Sequence, residues 1–156
     1  MKPVVELERV HIDAFEVVGM IHRGAYPRIP ETWEKFMLYL REHRVMPPKN
    51  RVLSLYFDNP WTTPEAELRS AACIDMPPTG PPKELETFHV ESGHFAKWTY
   101  VGPFSGLSGA WAAFTEAVLS NPQFSYRPAA TMEFNLDDPS VTPPEKLRSE
   151  LYMPVN

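Results

Sequence analysis

The side chains with most chemistry to offer in this 156-residue chain stand in short apolar stretches. In Ala129-Ala130-Thr131-Met132-Glu133-Phe134-Asn135-Leu136, strand alternation puts Met132, Phe134 and Leu136 on one face and Glu133 with Asn135 on the other. A carboxylate beside aromatic rings receives a cation through charge pairing and cation–π attraction together, where water is excluded. It could equally act as a general acid or base, because partial burial raises its pKa toward working pH. The same pattern also fits a solvated residue on an exposed sheet face. Earlier in the chain, Ser54 and Tyr56 occupy the matching positions and add a hydroxyl and a phenol.

Two further strands supply apolar walls. Trp98 and Tyr100 share one face, as do Met20 and His22. Amphipathic rings with a polar handle suit a groove for planar ligands, and Met20 would give it an adaptable side. The rival reading is an aromatic pair that only stabilises a sheet. His22 could assist proton transfer, or it could be a packing histidine.

Other chemistries fit the spacing poorly. His11, His22, His43, His89 and His94 form no HExxH or Cys-His set, and His89 with His94 across an expected hairpin is a weak metal pair, so no metal or cofactor is expected. Gly106-Leu107-Ser108-Gly109-Ala110 imitates a nucleophile elbow, but no histidine follows it, and Ser108 reads better as a helix cap. Asp58-Asn59-Pro60 and Asp137-Asp138-Pro139 read as turns whose acidic side chains accept backbone hydrogens. Trp61 is unusual on such a turn.

The elements that position these residues occur twice. Adding 78 carries Gly24 onto Gly102, Tyr26 onto Phe104, Trp33 onto Trp111 and Phe36 onto Phe114; after one inserted residue, adding 79 carries Asn59-Pro60 onto Asp138-Pro139 and Leu68-Arg69 onto Leu147-Arg148. Each half reads strand, strand, helix, strand, strand. In the first half the strands are Val4–Leu7, Phe15–Ile21, Val52–Phe57 and Leu68–Ile74; in the second they are Glu86–Val90, Phe95–Val101, Met132–Leu136 and Leu147–Met153. Ile29, Trp33, Phe36, Met37 and Leu40 mark the first helix, and Leu107, Trp111, Phe114 and Val118 the second. Glu31 and Glu34 suit the positive end of the first helix dipole, while Pro47-Pro48 and Pro122 stop the two helices. The expected fold is α+β: a tandem duplication with antiparallel sheet, two helices and pseudo-twofold symmetry. Repeat 1 spans about 1–76, a proline-rich linker about 77–84, and repeat 2 about 85–156, all in one domain, and the meeting of the repeats is the natural place for a ligand cleft.

Bulk properties narrow the partners. With 15 Lys plus Arg against 20 Asp plus Glu the net charge is −5, which argues against gripping a phosphate backbone directly. Cys73 is the only cysteine, so no internal disulfide forms. No apolar run spans a membrane and the N-terminus lacks a signal-peptide pattern, so a cytoplasmic protein is expected.

Taken together, Arg23-Gly24-Ala25-Tyr26 with Val101-Gly102-Pro103-Phe104, Tyr56-Phe57-Asp58-Asn59-Pro60 with Asn135-Leu136-Asp137-Asp138-Pro139, and Thr142-Pro143-Pro144-Glu145-Lys146-Leu147-Arg148 ending in Leu151-Tyr152-Met153-Pro154-Val155 resemble the GyrI-like domain. That effector-binding domain is also found fused to AraC-type and MerR-type regulators and alone in DNA gyrase inhibitor proteins. The resemblance covers essentially the whole chain. It implies uptake of a small hydrophobic or aromatic ligand, cationic in some cases, in a groove between the repeats with an acidic residue inside. Glu133 would be that residue, with Met20, His22, Ser54, Tyr56, Trp98, Tyr100 and Asn135 as ligand-binding positions. Regulators of the family carry a DNA-binding module ahead of this domain, and Met1 leaves no room for one, so direct nucleic-acid binding is not expected. Two alternatives follow from the resemblance. One is hydrolysis of cyclopropane-bearing alkylating compounds, with Glu133 activating water and Tyr56, Trp98 or Tyr100 holding substrate. The other is inhibition of DNA gyrase by protein contact.

Overall fold

The computed structural model describes residues 4–45 and 51–156. The chain forms two compact units: a middle unit, Phe15–Val90, and a flanking unit, Met1–Ala14 with Glu91–Asn156. Each unit is a four-stranded antiparallel sheet carrying one long helix, an α+β arrangement. The middle unit contains β2 (Phe15–Arg23), α1 (Ile29–Glu42), β3 (Val52–Tyr56), β4 (Arg69–Asp75) and β5 (Glu86–Val90), with sheet order β3-β4-β2-β5. The flanking unit contains β1 (Glu8–Ile12), β6 (Gly93–Val101), α2 (Leu107–Ser120), β7 (Thr131–Asn135) and β8 (Arg148–Val155), with sheet order β1-β6-β8-β7.

Two sequence expectations are corrected by the pairing. The first strand is Glu8–Ile12, not Val4–Leu7; Val5 and Leu7 instead pack against the apolar cluster under α2. Nor do β5 and β6 form a hairpin. β5 pairs with β2, and β6 pairs with β1 and β8. The opening strand of each expected repeat therefore lies in the sheet built mainly from the other. Local chemistry explains why no hairpin closes. A two-residue hairpin favours positive φ at its turn, usually from Asn-Gly or Asp-Gly. The links here are Asp13-Ala14 and Glu91-Ser92, and none of these four residues has positive φ.

The strand-to-helix loops are built alike. Gly24 N–H donates to the Leu68 carbonyl at 2.8 Å, and Gly102 N–H to the Leu147 carbonyl at 2.8 Å. Gly24 has φ +113°, a region that side chains resist. Gly24→Ala is therefore expected to cost more than about 1 kcal/mol, read as a lower urea midpoint at unchanged slope. The turns after β3 and β7 also match. Asp58 accepts the Arg69 guanidinium at 2.9 Å and Asp137 accepts that of Arg148 at 2.9 Å, and each aspartate also takes its arginine's backbone N–H.

Both helices are entered from a short 3-10 turn, Tyr26–Arg28 before α1 and Phe104–Gly106 before α2. The entry to α2 makes no side-chain cap, and Ser108 lies inside the helix and exposed, so its expected capping role is overturned. The N-cap position falls on Gly106, which has no hydroxyl to offer, two residues before Ser108. Glu31 does stand in the first turn of α1, paired with Arg28, whereas Glu34 lies beyond it. α1 buries Ile29, Thr32, Phe36, Tyr39 and Leu40, while Met37 is exposed, contrary to its expected core position. At 3.6 residues per turn the buried stripe passes from Phe36 to Tyr39 and Leu40 and skips Met37. Pro47-Pro48, expected to stop α1, lie outside the described residues. In the flanking unit Ala110, Phe114 and Val118 of α2 pack on Ala96, Leu151, Met153 and Val155. In the middle unit Phe36, Tyr39 and Leu40 pack on Val18, Ala72 and Ile74.

Candidate functional site

Register assembles the candidate residues into rows. In the flanking unit Trp98 stands opposite Leu151, and Leu151 opposite Glu133; the next row is Tyr100, Ser149 and Asn135. In the middle unit the corresponding rows are Met20, Ala72, Ser54 and His22, Ser70, Tyr56. Directly opposed residues share a face. Trp98 and Tyr100 pack on the α2 cluster, and Met20 on the α1 cluster, so these rows lie beneath the helices. All eight candidates thus stand on the helix-bearing faces of their sheets, four in each unit.

Glu133 is not a solvated strand residue: it is 7% exposed. The Trp111 indole N–H donates to its Oε1 at 2.7 Å, and the Asn135 amide donates to its Oε2 at 3.2 Å. It has no ion-pair partner among the described residues. Burial pushes its carboxyl pKa up, and the Trp111 and Asn135 hydrogen bonds offset part of that rise. Asn135 suits either protonation state, because its amide can present NH2 to a carboxylate or its oxygen to a protonated acid. Trp111 belongs to a cluster of rings. Trp98 stacks on Phe114 at 6.4 Å and 21°, and Trp111 meets Phe114 edge-on at 5.8 Å. Trp98, Tyr100 and Trp111 all remain partly exposed.

Trp111 is the site residue that the periodicity argument missed, since helical spacing made it a core anchor. The available signal was the recurrence of residue types at the 78- and 79-residue offsets. Trp33 is its counterpart, Ser54 is the counterpart of Glu133, and the Trp33 indole N–H donates to Ser54 Oγ at 3.0 Å. One indole-to-strand hydrogen bond thus recurs in both units, reaching a hydroxyl in one and a carboxyl in the other.

Two candidates are committed elsewhere. His22 is buried between the Thr32 hydroxyl, 2.8 Å from Nδ1, and the Ala25 carbonyl, 3.1 Å from Nε2. A carbonyl only accepts, so Nε2 carries a hydrogen and donates it to Ala25. Tyr100 donates to the equivalent carbonyl, Pro103, at 3.0 Å. Its phenol fills space left by two glycines: a Cβ on Gly102 or Gly106 would come 2.6 or 2.2 Å from the hydroxyl oxygen. Both side chains anchor helix-entry loops, which makes them positioning residues. Ser70 Oγ is buried without a partner among the described residues, whereas its counterpart Ser149 meets Asn135 at 3.4 Å. In the flanking unit, shape alone points to a hollow lined by Val5, Leu7, Arg9, Ala117 and Phe124, which does not include Glu133. That hollow offers neither a buried carboxyl nor a tryptophan, so chemistry favours the Glu133 row.

The model of the GyrI-like small molecule binding domain matches residues 6–156. The chain belongs to this family. Among curated protein sequences none matches this GyrI-like chain. Its fold is that of the EcmrR C-terminal domain, with a TM-score of 0.75 at 13% identity over 99% of each chain. In the EcmrR–DNA complex the match spans 97% of this chain but 57% of EcmrR, with a TM-score of 0.72 at 12% identity. SAV2435 bound to tetraphenylphosphonium matches with a TM-score of 0.69 at 12% identity, over 97% of this chain and 94% of that one. A hydrolase encoded by lin2189 from Listeria innocua matches with a TM-score of 0.61 at 13% identity, over 97% and 92%. Identities this low establish the shared fold. No helix among the described residues is long and apolar enough to cross a membrane.

Proposed function

We propose that this GyrI-like domain binds hydrophobic, aromatic cations, with Glu133 as the acidic group and Trp98 and Trp111 as the walls beside it. The observation that carries the reading is a buried carboxyl, hydrogen-bonded by an indole and an amide, with no cationic side chain among the described residues to neutralise it. A ligand cation supplies the missing charge, and the rings add cation–π attraction in a site of low polarity. The tetraphenylphosphonium held by SAV2435 is a compound of this class. Titration with tetraphenylphosphonium, followed by tryptophan fluorescence, is expected to saturate. A neutral polyphenyl compound of similar size should bind at least about 10-fold more weakly, the effect of one charge-assisted contact. Equal affinity for the two would remove Glu133 from the account.

A second reading is hydrolysis, favoured by the raised carboxyl pKa of Glu133 beside aromatic surfaces. Glu133 would take a proton from water as the oxygen attacks a strained ring carbon, and return it to the carbon released when the ring bond breaks. Incubation with a cyclopropane-bearing electrophile would then yield a product one water heavier. Recovery of the intact compound alone would leave binding as the function.

A further inference from the structure

Strand register also joins two residues that lie far apart in the chain. In the flanking unit β1 runs along β6 so that His11 stands directly opposite His94. Both side chains are exposed, with ring centres 5.2 Å apart and planes at 73°. We propose that His11 and His94 form a two-imidazole site for a divalent transition metal ion, bridging β1 and β6.

The spacing fits coordination geometry. A metal about 2.0–2.1 Å from a ring nitrogen lies about 3.2 Å from the ring centre, and a tetrahedral angle at the metal then separates two such centres by roughly 5.2 Å. Asp13 adds a negative charge beside the pair: its carboxylate lies 3.6 Å from His11 Nδ1. Neighbouring cations are turned away. Arg9 reaches the Gln123 carbonyl and lies over the Phe124 ring, while Arg127 binds the His94 carbonyl from the Phe95 face. No set of three or more His, Cys, Asp or Glu side chains able to hold a metal occurs among the described residues. Water therefore completes the coordination shell, giving an open, exchangeable site; the tetrahedral spacing suits Zn2+, while Cu2+, which binds imidazole more tightly and prefers a right angle between equatorial ligands, needs these exposed rings to close by under about 1 Å. Because the two histidines meet only when β1 is paired, a bound metal stabilises the strand that no hairpin turn holds in place.

The test uses the untagged full chain titrated with CuCl2, read by calorimetry and by electron paramagnetic resonance, with thermal unfolding followed in parallel. Expected are one ion per chain with two equatorial imidazole nitrogens, and a Tm that rises with metal concentration. His11→Ala and His94→Ala should each lose at least about 10-fold in affinity and abolish the Tm rise, whereas His89→Ala should match the parent. Both positions are exposed, and the metal-free melting curves of the variants check that they fold. Parental affinity in His11→Ala, or a spectrum with a single imidazole, would overturn the site.

Discussion

Glu133→Gln is expected to weaken binding of an aromatic cation about 10- to 100-fold and to leave a neutral ligand of the same shape within about threefold. The substitution keeps the volume and an oxygen for the Trp111 N–H, and removes only the charge. A charge-assisted contact contributes about 1.5–3 kcal/mol, which gives that range. The expectation has a pH signature whose sign follows from burial. Desolvation raises the folded carboxyl pKa above its ordinary 4.5, with hydrogen bonds from Trp111 and Asn135 resisting. The folded chain then holds this proton more tightly than the unfolded chain does. Stability is fully present below the unfolded value, falls as pH rises through the raised folded value, and is level above it. Glu133→Gln should lack this decline. Cation affinity should rise over the same window, with release of one proton per cation bound at its lower end. Denaturant midpoints and dissociation constants measured across that window check both halves; parallel curves for parent and variant would show that Glu133 does not titrate there.

Phe114→Ala is expected to cost about 3–5 kcal/mol of stability. Its ring is completely buried and touches both Trp98 and Trp111, so the cavity opens under the walls of the proposed site. Against a typical total of about 5–15 kcal/mol this is a large fraction. At about 2–4 °C per kcal/mol for a domain of this size, the melting temperature should fall by roughly 6–20 °C. Ligand affinity should fall too, since Trp98 loses the ring it stacks on. Phe114→Leu keeps most of the volume and should cost well under half as much. If Phe114→Ala melted within about 2 °C of the parent, the packing of α2 on its sheet would need revision.

Much of this was legible in the residues because the physics involved is local. Period-two alternation placed Glu133 with Asn135, Trp98 with Tyr100, Met20 with His22 and Ser54 with Tyr56, and strand pairing keeps each couple on one face. The 78- and 79-residue offsets align the two helices, Ile29–Glu42 and Leu107–Ser120, and match the two Asp-Arg turns. Alternation and helix spacing depend on neighbours two to four positions away, and the offsets need only the chain compared with itself, so a single sequence displays them. Met37 marks the limit of such reasoning: apolar and within the helical spacing, it nevertheless faces outward.

Tertiary structure decided everything that depends on which distant strand lies beside which. Asp13-Ala14 and Glu91-Ser92 look like hairpin links by length, yet none of the four takes the positive φ of a two-residue hairpin, and the choice of partner for β1 and β5 passed to the sheet as a whole. That choice brings His11 to His94. Register and helix packing likewise turned Trp111 from core filler into the hydrogen-bond donor of Glu133, and bound His22 and Tyr100 to their loops. Alternation names the face on which a carboxyl stands. Whether that face is wet or dry, and which indole meets it there, is settled only when residues far apart in the chain exclude water together.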